Sequence, residues 1–177
     1  MVFQYYLKYS DDNECNARRV RRFSVPTDEK RKKVLVADDD SDMMIFLSTL
    51  LHTHGFEALA ARTAAAGLKK AAEENPDCII LNAMMSDESG IDLYICLKQD
   101  RLLKKIPVIM LSAIGSKTFF QYLSRSHAGV WKQKNTHSGP GVPEPEVYLE
   151  SPPEAEELIH QLRMLMRGAG SEVWGSG

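Results

Sequence analysis

Cysteine is scarce. The 177 residues contain only Cys15, Cys78 and Cys96. An odd number without metal-ligand spacing argues against a disulfide framework or a zinc cage. Cys78 and Cys96 fall in apolar patterns and are expected to be small core residues of a reducing compartment. Long apolar runs are missing too, and none approaches the roughly 18 residues of a membrane span. The opening residues, MVFQYYLKY, are aromatic and charged and carry no signal-peptide core, so a cytoplasmic location is expected. There is no internal repeat, P-loop, Gly-rich dinucleotide turn or nucleophile–His–acid order. The five histidines are scattered, and His52 and His54, two apart on a predicted helix, face different sides. Ordinary enzymatic catalysis therefore has little support. No charge sign dominates, with a net charge of −2. That value hides an asymmetry. Residues 1–33 hold nine Lys/Arg against five Asp/Glu, and the remainder holds thirteen against nineteen. A basic arm on an acidic body is a prior for an interaction tail.

What is present is a soluble-protein composition, 44% hydrophobic and 26% charged. Its focus is Lys33–Asp42, KVLVADDDSD. Four small or apolar residues, Val34–Ala37, read as a buried parallel strand. Asp38, Asp39 and Asp40 follow at its C-terminal end, where open α/β sheets place their sites. Carboxylates that close repel each other, and a divalent cation is the usual remedy. The competing reading is an N-cap cluster that starts the next helix.

Alternation is regular from Lys33 onward. Strands are predicted at Val34–Ala37, Phe56–Ala60, Cys78–Leu81, Val108–Leu111 and Val147–Glu150. Helices are predicted from Ser41 to His54, with Gly55 as the stop, and from a Thr63 cap through Glu74. Others run from Gly90 to about Gln99, from about Ser116 to Ser126, and from the Pro152-Pro153 pair to about Arg167. The methionines Met43, Met44, Met84, Met85 and Met110 read as core or near-core fillers. Strands alternating with helices imply a doubly wound five-stranded parallel sheet, α/β and flavodoxin-like, in the order 2-1-3-4-5. Three parts are expected: a basic N-terminal arm (1–32), the α/β domain (33–168), and a Gly/Ser-rich tail (169–177).

The ordered set VLVADDD, IILNAMMSDESG, PVIMLSA and VYLESPP resembles the receiver domain of bacterial response regulators, the phosphorelay module of two-component signalling. The likeness spans residues 34–167. It implies a phosphorylated carboxylate at the end of the third strand and a magnesium ion on an acidic pair after the first. It also implies a hydroxyl after the fourth strand, and a Lys before a cis Pro after the fifth. Carried over residue by residue, the acidic pair is Asp38 and Asp39, Met84 offers its carbonyl to the metal, and the hydroxyl is Ser112. Tyr148 is the aromatic of the fifth strand, and Pro152 is the cis proline.

Two positions depart from that pattern. The phosphoacceptor position holds Asn82, and the lysine position holds Ser151. A neutral amide is a poor nucleophile, so no acyl phosphate forms on it. Losing its charge also weakens the magnesium site. Ser151 has no ammonium to balance a phosphoryl group. The resemblance is thus to a pseudo-receiver, with Asn82, Ser112 and Ser151 as a vestigial phosphorylation site and at most a weak magnesium site. Lys132 or Lys134 would become the lysine counterpart if the fifth strand were Gly129–Trp131. With that strand at Tyr148, residues 130–146 form an insertion. Trp131, Lys132 and Lys134 lie in it, followed by the acidic Glu144 and Glu146, and with Tyr148 of the fifth strand they are the candidate interaction surface. The insertion is either a docking element or an inert loop.

Three functions follow as expectations. One is a phosphorylation-independent module that binds a protein, either a histidine kinase, a downstream signalling protein or a second copy. Another is a receiver that uses Asp38, Asp39 or Asp87 as its acceptor. The last is a nucleic-acid or membrane adaptor working through the basic clusters in residues 17–33.

Overall fold

The computed structural model describes residues 31–86, 90–115, 118 and 142–168. Residues 1–30 form one unit and Arg31 onward another. The arm, Asp87 and Glu88, nearly all of the helix expected at 116–126, Trp131, Lys132, Lys134 and the tail lie outside the described residues.

The second unit runs β1 (Lys33–Ala37), α1 (Ser41–Thr53), β2 (Glu57–Ala61), α2 (Ala64–Glu74), β3 (Cys78–Asn82) and α3 (Gly90–Gln99). A short 3-10 turn at Leu103–Lys105 leads to β4 (Val108–Ser112). Then come β5 (Val147–Glu150) and α4 (Ala155–Gly168). All strand pairs are parallel, and their order is β2-β1-β3-β4-β5. The expected sheet is therefore the observed one. The placement of β5 at Val147–Glu150 settles the choice left open by Gly129–Trp131.

Why the strands read as unbroken apolar runs is visible in the packing. Val34, Val36, Ile80, Ile109 and Leu111 join one core with α1 and α4 through Leu47, Leu51, Leu158 and Leu162. Their strand neighbours Leu35, Ala37, Ile79, Leu81 and Met110 join a second core with α3 through Ile91, Tyr94 and Leu97. Successive strand residues point to opposite faces, and both faces are covered.

Local signals explain the boundaries. Asp40 caps α1 by accepting from the N–H of Asp42 and of Met43. Gly55 closes that helix at φ +85°, a left-handed value that suits glycine. Thr63 caps α2 through the Ala66 N–H. β2 starts one residue later than expected, because the Phe56 N–H is spent on the Leu51 carbonyl in the turn. Cys78 is buried as expected, and burial pushes its thiol up to about 12. Cys96 is exposed instead. Ile91, Tyr94, Leu97 and Lys98 form the inner stripe of α3, and position 96 falls off it. Met84 likewise departs from its expected filler role and is 56% exposed.

The end of the insertion is packed. Val142 is buried in the α3-side core, and the Tyr94 hydroxyl donates to the Pro143 carbonyl at 2.9 Å. Glu146, expected beside a docking surface, accepts from the buried Lys98 ammonium at 2.7 Å and from the Val108 N–H at 2.8 Å.

Candidate functional site

Parallel strands deliver their C-terminal ends to one edge of the sheet. Asp38, Asn82, Ser112 and Ser151 therefore meet there, across the β1/β3 crevice where the winding reverses. Gly90 holds α3 against this edge. A side chain at that position would fall on the Asn82 carbonyl, so the close approach requires glycine.

The three aspartates do not share an ion-like focus. Each is turned to a different task. Asp38 is 2% exposed, and its Oδ1 accepts from the Asp40 N–H and the Asn82 amide, both at 3.0 Å. Burial raises its pKa above the usual carboxylate range, against the pull of those two hydrogen bonds. Asp39 Oδ2 accepts from the Ser86 N–H at 2.7 Å and the Ser86 hydroxyl at 2.5 Å. The Ser86 hydroxyl, then its N–H, and more weakly the Arg62 charge hold the Asp39 pKa low. Asp40 is the helix cap already described. Among the described residues, no group of three or more His, Cys, Asp or Glu converges to hold a metal.

The Asn82 amide is oriented by its neighbours. Its Oδ1 accepts from the Met84 N–H at 3.0 Å, which turns its NH2 toward Asp38. Asn82 therefore presents a donor where an ion would need an anionic oxygen. This donor set suits magnesium poorly.

On the other side of the crevice Ser112 is fully buried, and its Oγ accepts from the Ile114 N–H at 3.3 Å. The Ser151 N–H donates to the Ser112 carbonyl at 2.9 Å, and the Ser151–Pro152 peptide is cis. Tyr148 is partly buried, its hydroxyl donating to the Ile114 carbonyl at 2.5 Å. Burial raises its pKa.

Asp38 gives a direct stability prediction. A carboxyl whose folded pKa is raised favours the folded state when protonated. That advantage is complete below the unfolded carboxylate range and is lost as pH rises through the folded value. Asp38→Asn should remove this loss while keeping an oxygen for Asn82 and Asp40. The variant should gain about 1 kcal/mol at neutral pH. Its advantage over the parent should shrink as pH falls toward 4, as read from urea midpoints across a pH series.

Sequence reasoning missed Arg62 and the role of Ser86. Arg62 Nη2 donates to the Asp39 carbonyl at 3.2 Å and to the Ser41 hydroxyl at 2.5 Å.

Comparison with known proteins agrees with this architecture. Residues 34–130 match the response regulator receiver domain model. The chain belongs to the response regulator receiver family. This receiver is 28% identical over 139 residues to the phosphate regulon transcriptional regulatory protein PhoB of Pseudomonas aeruginosa, covering 78% of this chain and 53% of that protein. It is 30% identical over 86 residues to the polar-differentiation response regulator DivK of Brucella ovis, covering 49% of this chain and 70% of DivK. In structure it resembles the receiver domain of Francisella response regulator 1452, with 26% identity and a TM-score of 0.61. That match covers 78% of this chain and 99% of the Francisella domain. The receiver spans a third of the length of PhoP from Bacillus subtilis and about half of PhoB. No described helix is long and apolar enough to cross a membrane.

Proposed function

We propose that this receiver signals without phosphorylation, as a module that binds a protein partner through a constitutive surface. One observation carries the reading. The last residue of β3 is Asn82, whose neutral amide is spent on Asp38 and the Met84 N–H. A nucleophile for phosphorus must offer an electron-rich oxygen, and this amide does not. Ser151, in the position directly after β5, supplies no ammonium. The set Asn82, Ser112 and Ser151 is then a vestigial phosphorylation site, and Asp38 and Asp39 with the Met84 carbonyl are the remnant of a magnesium site, weak at most.

Of the alternative acceptors, Asp38 and Asp39 have less to recommend them. Asp38 is buried against Asn82, and the Asp39 oxygen Oδ2 is doubly hydrogen-bonded to Ser86. Partners follow from the family: a histidine kinase or a downstream signalling protein, and a second copy. Trp131, Lys132, Lys134 and Tyr148 are the proposed contact residues. A cytoplasmic location fits this role.

The test is intact mass after incubation with acetyl phosphate and magnesium. No phosphoryl adduct is expected. A stoichiometric adduct that hydroxylamine removes would overturn the reading.

A further inference from the structure

We infer that Arg62, Asn82 and Ser86 replace the divalent cation from within the chain, latching the segment after β3 to the segment after β1 in one state. The inference deepens the proposed function and rests on it only in reading Asn82 as the residue at the acceptor position.

One small pocket holds all the groups involved. Two aspartates stand side by side at the end of β1, and acids so placed need compensating groups. Asp38 receives it as two N–H donors, one from Asn82 and one from the Asp40 backbone. Asp39 receives it as an N–H and an O–H, both from Ser86, with the Arg62 guanidinium close enough to lower its pKa further. Arg62 is itself held by the Asp39 carbonyl and Ser41. A magnesium ion would have to displace Ser86 from Asp39 and meet the NH2 of Asn82 instead of an oxygen. It would also approach a fixed guanidinium. Each step opposes binding, because this small, strongly hydrated cation binds through carboxylate oxygens.

The mechanical consequence is a bridge. Ser86 lies four residues beyond β3 and Asp39 two beyond β1, so their paired bonds tie two loops that strand pairing leaves separate. Asn82 adds a second tie, to Asp38 on one side and Met84 on the other. In a switching receiver this segment would respond to the ion and the phosphoryl group. Here the chain's own side chains hold it. The exposed Met84 beside the latch is consequently presented in one arrangement.

The test uses the full chain with amide hydrogen exchange and a magnesium titration followed by NMR. In the parent, the Met84 and Ser86 amides should be protected, and millimolar magnesium should leave the Asp38, Asp39 and Ser86 signals in place. In Arg62→Gln/Ser86→Ala the backbone amide at position 86 should exchange about tenfold faster than in the parent. The same double variant should show saturable magnesium shifts at Asp38 and Asp39. Core amides such as Ile80 and Leu111 should keep their protection, which separates an opened latch from a misfolded chain. An unprotected Ser86 amide in the parent, or saturable magnesium shifts there, would overturn the inference. So would a double variant that exchanges and titrates like the parent. Mass after acetyl phosphate on the same samples separates the two readings. An adduct on a latched, magnesium-indifferent parent removes only phosphorylation independence. Magnesium binding without an adduct removes only the latch.

Discussion

Glu146→Ala should cost about 3 kcal/mol of stability, as much as truncating a buried aliphatic side chain. The Lys98 side chain is 1% exposed. Its ammonium donates to Glu146 at 2.7 Å, to the Ile106 carbonyl at 2.9 Å and to the Lys104 carbonyl at 3.4 Å, and it lies 5.6 Å from the Tyr94 ring centre. The second Glu146 oxygen accepts from the Val108 N–H, the first residue of β4. Alanine would leave a buried cation without this carboxylate and a strand N–H without its acceptor. Glu146 is itself 35% exposed, so solvent recovers part of the loss and keeps it at the low end for a broken buried pair. The melting temperature should fall by roughly 6–12 °C. Glu146→Gln keeps an acceptor for Val108 and should lose about half as much. Lys98→Met should cost only about 1 kcal/mol, because its removal lets Glu146 turn to water. Urea unfolding of the three variants gives the order directly. A Glu146→Ala midpoint at the parent value would show that the clamp contributes nothing.

The clamp also shows where sequence reading stopped. The strands were legible because both faces of the sheet are covered, which writes each strand as a short apolar run between turn residues. Asp40, Gly55 and Thr63 were legible because caps follow local chemistry. The edge that gathers Asp38, Asn82, Ser112 and Ser151 was legible from the order of the motifs. Long-range hydrogen bonds were not. Lys98 sits one turn beyond Tyr94 on the buried stripe of α3, and a lysine on an apolar stripe is a signal that went unused. Glu146 was assigned to an insertion because spacing alone cannot distinguish a loop end from a strand entry. Ser86 and Arg62 are 47 and 23 residues from Asp39, and no periodic pattern links them. The three adjacent carboxylates read as a cation site or a cap cluster; Asp40 is the cap, while Asp38 and Asp39 find neutral partners in the distant Asn82 and Ser86.

Asn82→Asp combined with Ser151→Lys should let this chain accept a phosphoryl group from acetyl phosphate. The single Asn82→Asp change does most of this. It removes the NH2 that now faces Asp38 and puts a second carboxylate in its place. Two acids across the β1/β3 crevice repel each other, so the magnesium-free variant should be less stable than the parent. Magnesium should reverse that loss, since an added anionic ligand raises affinity for a hard cation by about tenfold or more. The new carboxylate is also the nucleophile that the amide is not. Ser151→Lys then sets an ammonium directly after β5, where the Ser151 N–H already touches the Ser112 carbonyl. A positive group aimed at developing phosphoryl charge should speed the transfer by about a hundredfold over the single variant. Intact mass should rise by one phosphoryl group in magnesium and stay unchanged in chelator. The Met84 and Ser86 amides should shift only when the adduct is present. If the double variant binds magnesium and still gains no mass, Asn82 and Ser151 do not decide phosphorylation in this receiver. If it does not bind magnesium either, the Arg62 and Ser86 contacts that remain close the pocket.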